Sequence, residues 1–154
     1  MEIAIKNLQT KIAINPRQLT KIIKIILRKE RIKSVDLSFV FVCGKRIKAL
    51  NKKFLHKSYL TDVISFDLSE ECLSYQKKRP NRIVGEIVIS TDAVNENAKT
   101  FNTSVSNELI LYIIHGILHL LGYDDKRKKD KILMRKREEF LLRFISSKSK
   151  GVIA

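Results

Sequence analysis

The stretch from Leu109 to Tyr123 constrains this chain more than any other, because it is the most apolar run and still carries two histidines, His115 and His119. Its pattern is helical, and at 1.5 Å per residue it is too short to cross a hydrocarbon layer of about 30 Å. It has to be buried inside a folded domain. Residues four apart on a helix lie one turn apart on the same face, so both imidazoles can reach one point. Gly122 follows where a helix can end in a left-handed residue, which glycine adopts without cost. The chain can then turn back and bring the Asp125 carboxylate to that same point. Two nitrogens and one oxygen, with a fourth position open to water, make a catalytic zinc arrangement, so one zinc ion is the expected cofactor. Two histidines on an apolar helix can instead be core residues bonded to carbonyls. The helix-ending glycine and the carboxylate at workable range favour the metal.

The residue after the first histidine narrows the chemistry. In His-Glu-x-x-His metalloproteases it is the glutamate that acts as general base. Here it is Gly116, which has no side chain to accept a proton. Proteolysis by that route is disfavoured, and another hydrolysis is expected, in which an ion supplies activated water without a protein base.

Around this run the sequence alternates between strand and helix patterns, with no repeat, linker or composition break. Ile3 and Ile5 suggest a short strand. Asn15-Pro16 is a helix cap and first-turn proline, after which Leu19, Ile22, Ile23, Ile26 and Leu27 recur at helical spacing. Val35, Leu37, Phe39 and Phe41 alternate as a strand whose other face, with Val40 and Val42, is apolar too. A helix from about Gly44 to Phe54 presents Ile47, Leu50 and Phe54 on one side. Thr61 to Phe66 reads as a strand, Asp67 to Asn81 as a mobile loop, and Ile83 to Ser90 as a strand. Helices are expected near Asp92–Lys99, Ser106–Leu121 and Arg127–Ser146. The implied fold is α+β, a small mixed sheet packed against helices, in one domain spanning residues 1–154.

Composition adds the partner class. A net charge of +15 would concentrate a polyanion, and nucleic acid is the usual one, although a codon-driven excess of lysine has the same signature. Cys43 and Cys72 are far apart and form no Cys-x-x-Cys pair, so both read as free thiols of a reducing compartment. No secretory signal and no membrane span are visible, which leads us to expect a cytoplasmic protein.

The segment His115 to Asp125 resembles the signature of the YbeY family of bacterial endoribonucleases, His-Gly-x-Leu-His-Leu-x-Gly-Tyr-Asp-His. Leu50-Asn51, the run Thr61 to Phe66 and the run Gly85 to Ser90 resemble further elements of that family, and Glu108, Met134 and Glu138 fall where the family has them. The resemblance implies a four-stranded α+β fold with a zincin-like metal helix. It also implies a zinc-dependent, single-strand-specific endoribonuclease acting in ribosomal RNA maturation and ribosome quality control, with precursor rRNA and the small ribosomal subunit as partners. His115, His119 and Asp125 would be the metal ligands, with Asp125 in place of the family's third histidine and Asp124 as the competing ligand. Glu108, seven residues before His115 and so two turns up the same face, could orient a ligand from behind or simply cap the helix start. Asp124 could likewise act from behind, and Asp62 and Ser65 could line the cleft or be purely structural. Where the family carries an arginine after Leu-Asn this chain has Leu55, which cannot stabilise charge on a phosphate. His56 or Lys57 could take over that catalytic role. A ribosome-assembly factor with a structural metal and little nuclease activity, or a metal hydrolase of other substrates, are the alternatives.

Overall fold

The computed structural model describes residues 1–55, 62–69, 82–148 and 150–153. The chain runs β1 (Glu2–Asn7), α1 (Pro16–Lys29), β2 (Ser34–Val42), α2 (Gly44–Leu55), β3 (Val63–Asp67), β4 (Arg82–Ser90), α3 (Thr91–Thr100), α4 (Val105–Leu120) and α5 (Lys128–Ser146). One four-stranded sheet forms in the order β1-β2-β4-β3. The first three positions are parallel, and β3 closes the edge antiparallel to β4. The sheet is therefore mixed and the fold is α+β.

Both faces of β2 being apolar has a direct structural reason. Leu37, Phe39 and Phe41 enter the main core with Ile87 and Ile89 of β4, under α1, α4 and α5. Val40 and Val42 point the other way, into a smaller cluster with Ile64, Val88 and Ile47 of α2. A strand covered on both sides loses the polar alternation of a half-exposed one. Phe54 departs from the face expected of it. It is largely exposed, with its ring edge-on to Phe66 at 5.8 Å between centroids, while the neighbouring Asn51 is the buried residue of that turn.

Helix boundaries follow their capping chemistry. The Asn15 side chain accepts from the Gln18 amide, and Pro16 opens α1. Ser90 and Ser104 cap α3 and α4 in the same manner. After α5 the chain returns to the body of the fold, where Ile153 forms an isolated antiparallel bridge with Ile14 and Val152 is buried in the main core. Most of the expected loop, and Cys72 within it, lies outside the described residues. Among those described, no helix is long and apolar enough to cross a membrane.

Candidate metal centre

α4 carries the site because of how it is pressed onto the sheet. A β-carbon at Gly116 would meet Ile87 Cγ2 at 2.7 Å, so the helix approaches β4 at a position only glycine fits without displacement. On β3 the Ser65 hydroxyl donates to the Gly116 carbonyl at 3.1 Å, tying the sheet edge to the same turn. Position 116 thus faces the sheet rather than the site. The missing glutamate follows from packing as well as from chemistry.

α4 ends as the spacing predicts. Gly122 has φ +101°, its N–H donates to the His119 carbonyl at 3.1 Å, and the Tyr123 N–H donates to the Leu118 carbonyl at 3.0 Å. This is a Schellman closure. The reversal brings Asp125 over the helix it has just left. His115 Nε2 and His119 Nε2 stand 3.0 Å apart, and Asp125 Oδ2 lies 3.7 Å from the first and 3.6 Å from the second. Asp124 points elsewhere. Its carboxylate accepts from the Lys126 backbone N–H at 3.0 Å, and that bond holds its pKa below the usual carboxylate range.

The other ring nitrogens fix what these atoms can do. His115 Nδ1 donates to Glu138 Oε1 of α5 at 2.5 Å, and His119 Nδ1 donates to the Tyr123 carbonyl at 3.1 Å. Both partners are acceptors, so each ring carries its proton on Nδ1 and presents a lone pair at Nε2. Two lone pairs facing each other at 3.0 Å, with a carboxylate oxygen beside them, are relieved by a cation between them. Zinc–nitrogen bonds of about 2.0–2.1 Å in tetrahedral geometry separate donors by about 3.3 Å, close to the three spacings observed. His115, His119 and Asp125 together form a group that could hold a metal ion. The donor set fits.

Sequence reasoning placed Glu108 behind a ligand and did not give that part to Glu138. Glu108 is buried at the start of α4, where it accepts from the Thr103 hydroxyl at 2.7 Å. The carboxylate beside His115 belongs to Glu138, only 14% exposed. A sequence signal existed: Glu138 sits in the stripe Met134, Leu141 and Ile145 that α5 buries, and a lone acid in such a stripe needs a buried partner. Asp62 accepts weakly from Asn97, whose side chain also contacts the Tyr112 hydroxyl. Burial and the nearby Asp62 charge push the Tyr112 pKa up. A small cleft opens at the candidate ligands, lined by His115, Asp125, Lys131, Met134, Arg135 and Glu138. Lys131 and Arg135 place two cations at its rim. Leu55 is the last residue of α2, and His56 and Lys57 lie outside the described residues.

A sequence model of the family described as Endoribonuclease YbeY matches residues 4–146. The chain belongs to the YbeY family. A YbeY endoribonuclease from Syntrophus aciditrophicus (strain SB) is 37% identical over 143 residues, covering 92% of this chain and 88% of its own. The Parabacteroides distasonis YbeY endoribonuclease is 39% identical over 106 residues, or 69% of this chain and 68% of the relative. The solution structure of TM1509 from Thermotoga maritima has the same fold, with a TM-score of 0.62 and 30% identity, covering 97% of this chain and 96% of that one.

Proposed function

We propose that residues 1–154 form one catalytic domain, a zinc-dependent endoribonuclease that cuts single-stranded segments of ribosomal RNA precursors in the cytoplasm. In this reading it works with the small ribosomal subunit, in rRNA maturation and ribosome quality control. The observation that carries the reading is the convergence of His115 Nε2, His119 Nε2 and Asp125 Oδ2, with both Nδ1 atoms tied from behind, in a chain of the YbeY family. Glu138 and the Tyr123 carbonyl hold the imidazoles in the tautomer that a metal requires and keep them from turning away. When bound, a zinc ion supplies Lewis acidity and water activation for phosphodiester hydrolysis.

The remaining work falls to this chain's own side chains. Lys131 and Arg135 reach the cleft from α5, where they would hold the scissile phosphate and offset the charge that grows on its oxygens. They supply the cationic function that Leu55 cannot. No glutamate stands next to the first histidine to move a proton, since Gly116 is turned into the sheet. Cleavage of precursor rRNA by the purified protein should be lost in His115→Ala, and equal cleavage by the two would sink the nuclease reading. Elemental analysis of Asp125→Ala should show metal occupancy reduced relative to the parent.

A structural metal in an assembly factor is the second reading, favoured by Leu55 at the end of α2. It predicts full metal occupancy and RNA binding without cleavage.

A further inference from the structure

α1 ends in an unusual way. Arg31 has φ +59°, a left-handed conformation, with its N–H donating to the Arg28 carbonyl at 3.0 Å and the Ile32 N–H donating to the Leu27 carbonyl at 2.9 Å. Glycine normally fills that place, because a β-carbon there is strained. A strained position occupied by a long cationic side chain points to a use for the side chain. Beside it lies a recess of about 490 Å³ lined by Arg28, Lys29, Glu30, Arg31 and Arg137. The one carboxylate is already committed: Glu30 Oε1 accepts from Arg137 Nε at 2.8 Å and Nη2 at 2.5 Å. Three further cations, Arg28, Lys29 and Arg31, therefore gather around one acid that Arg137 already neutralises, which folding alone disfavours.

The cations continue onto two aromatic rings of α5. Phe140 and Phe144 lie nearly parallel, 13° apart with centroids at 6.4 Å. The Lys29 ammonium sits 4.4 Å from the Phe144 centroid, and Lys148 sits 4.6 Å from the same ring. The Arg137 guanidinium lies 4.7 Å from the Phe140 centroid. Cation–π attraction orders these long side chains in advance, lowering the entropy cost of gripping an anion. Phe140 is nevertheless 42% exposed, so part of its ring remains open. Ordered cations beside an open ring are what a single-stranded nucleic acid uses, its phosphates on the charges and a base on the ring.

We infer that this flank of α1 and α5 is a second binding site for single-stranded RNA, separate from the metal cleft. The inference rests on the RNA-cleaving function proposed above. Glu138 and Arg135 turn to the cleft, whereas Arg137, Phe140 and Phe144 turn to α1, so the two sites occupy opposite flanks of α5. A helix is about 10–12 Å across, and a few nucleotides passing over its solvent face, beside the exposed Lys136 and Arg143, would engage both. The site would hold the substrate strand while its scissile bond lies in the cleft.

The test is equilibrium binding of a long single-stranded RNA in the presence of a chelator, where no metal-dependent cleavage interferes. The triple variant Lys29→Ser, Arg31→Gly, Lys148→Ser should bind about tenfold more weakly, and the slope of log affinity against log salt should fall by about 0.7 for each phosphate no longer neutralised. Arg31→Gly alone should have an equal or higher Tm, because glycine relieves the left-handed strain, yet weaker RNA binding; this separates misfolding from removal of a binding group. Affinity and salt slope equal to the parent protein's would overturn the inference. So would variants that keep RNA affinity but lose binding to vesicles of phosphatidylglycerol and phosphatidylcholine, an outcome that assigns the flank to a membrane surface. A parent protein that binds through Arg31 but cuts no RNA once the chelator is removed and zinc is supplied leaves this site standing and refutes the nuclease proposal alone.

Discussion

Glu138 shows how a single carboxylate on one helix governs a histidine on another. It accepts a hydrogen bond from His115 Nδ1–H and so leaves Nε2 free, the part that the Tyr123 carbonyl plays for His119. Glu138→Gln keeps the shape but removes the charge that makes the imidazole a stronger donor. Metal affinity should fall about 10–100-fold, with the Tm of the metal-free protein little changed. Competition against a chromogenic chelator measures this, and unaltered affinity would reduce Glu138 to a packing residue. The pairing of His115 with His119 was legible in sequence because helical spacing and a terminal glycine are local properties. The part Glu138 plays was not, although its place in the buried stripe of α5 was visible, because which acid meets His115 depends on how α5 docks on α4.

At the scale of elements, Gly116 and Gly85 record the close approach of α4, β3 and β4. A β-carbon at Gly85 would lie 2.6 Å from the Phe66 carbonyl oxygen, and one at Gly116 would displace Ile87. Gly116→Ala gains helix propensity of about 1 kcal/mol, but overpacking costs about 1–3 kcal/mol. A net loss of about 1 kcal/mol is expected in urea unfolding, and a gain would show that Ile87 gives way freely. Asp92 joins elements by charge. It lies in the first turn of α3, accepts from the Gly44 N–H at the start of α2 at 2.5 Å and pairs with Lys11. The Lys11 ammonium first, then the Gly44 amide, hold its carboxyl below the ordinary carboxylate pKa. A depressed folded-state pKa contributes stability that is present above the unfolded value of about 3.9 and lost as pH falls through the folded one. Asp92→Asn should therefore cost about 1 kcal/mol at neutral pH, and the gap from the parent should close below about pH 4. A gap independent of pH would mean that the charge plays no part. Element types were readable from period and capping residues, but Phe54 was misplaced. Its apolar character and spacing say nothing about whether a neighbouring element covers it.

For the whole molecule, metal binding at this group would be linked to folding, because the three donors converge only in the folded chain. At free zinc of about 100 times Kd the fold should gain about 2.7 kcal/mol, a rise of about 5–10 °C in Tm for a chain of this size. Differential scanning calorimetry checks it. The rise should vanish in His115→Ala, and a parent Tm indifferent to zinc would remove the metal from the account. Patterns of period, capping and charge determined by themselves that the chain is an α+β fold, that α4 carries two histidines one turn apart, and that Gly122 ends it. These are short-range consequences of backbone geometry, which neighbouring residues in sequence suffice to specify. Sequence already favours Asp125 over Asp124, and the tertiary structure shows its carboxylate beside the histidines. Only that structure decided that Glu138 rather than Glu108 backs His115, and that Arg137, Phe140 and Lys29 assemble on one flank. Those meetings depend on the docking of α4, α5 and α1, which is set by the fit of buried side chains from distant segments. That fit also leads back to the histidine-bearing run Leu109 to Tyr123: its apolar face decides how α4 lies on the sheet, and therefore where both imidazoles point.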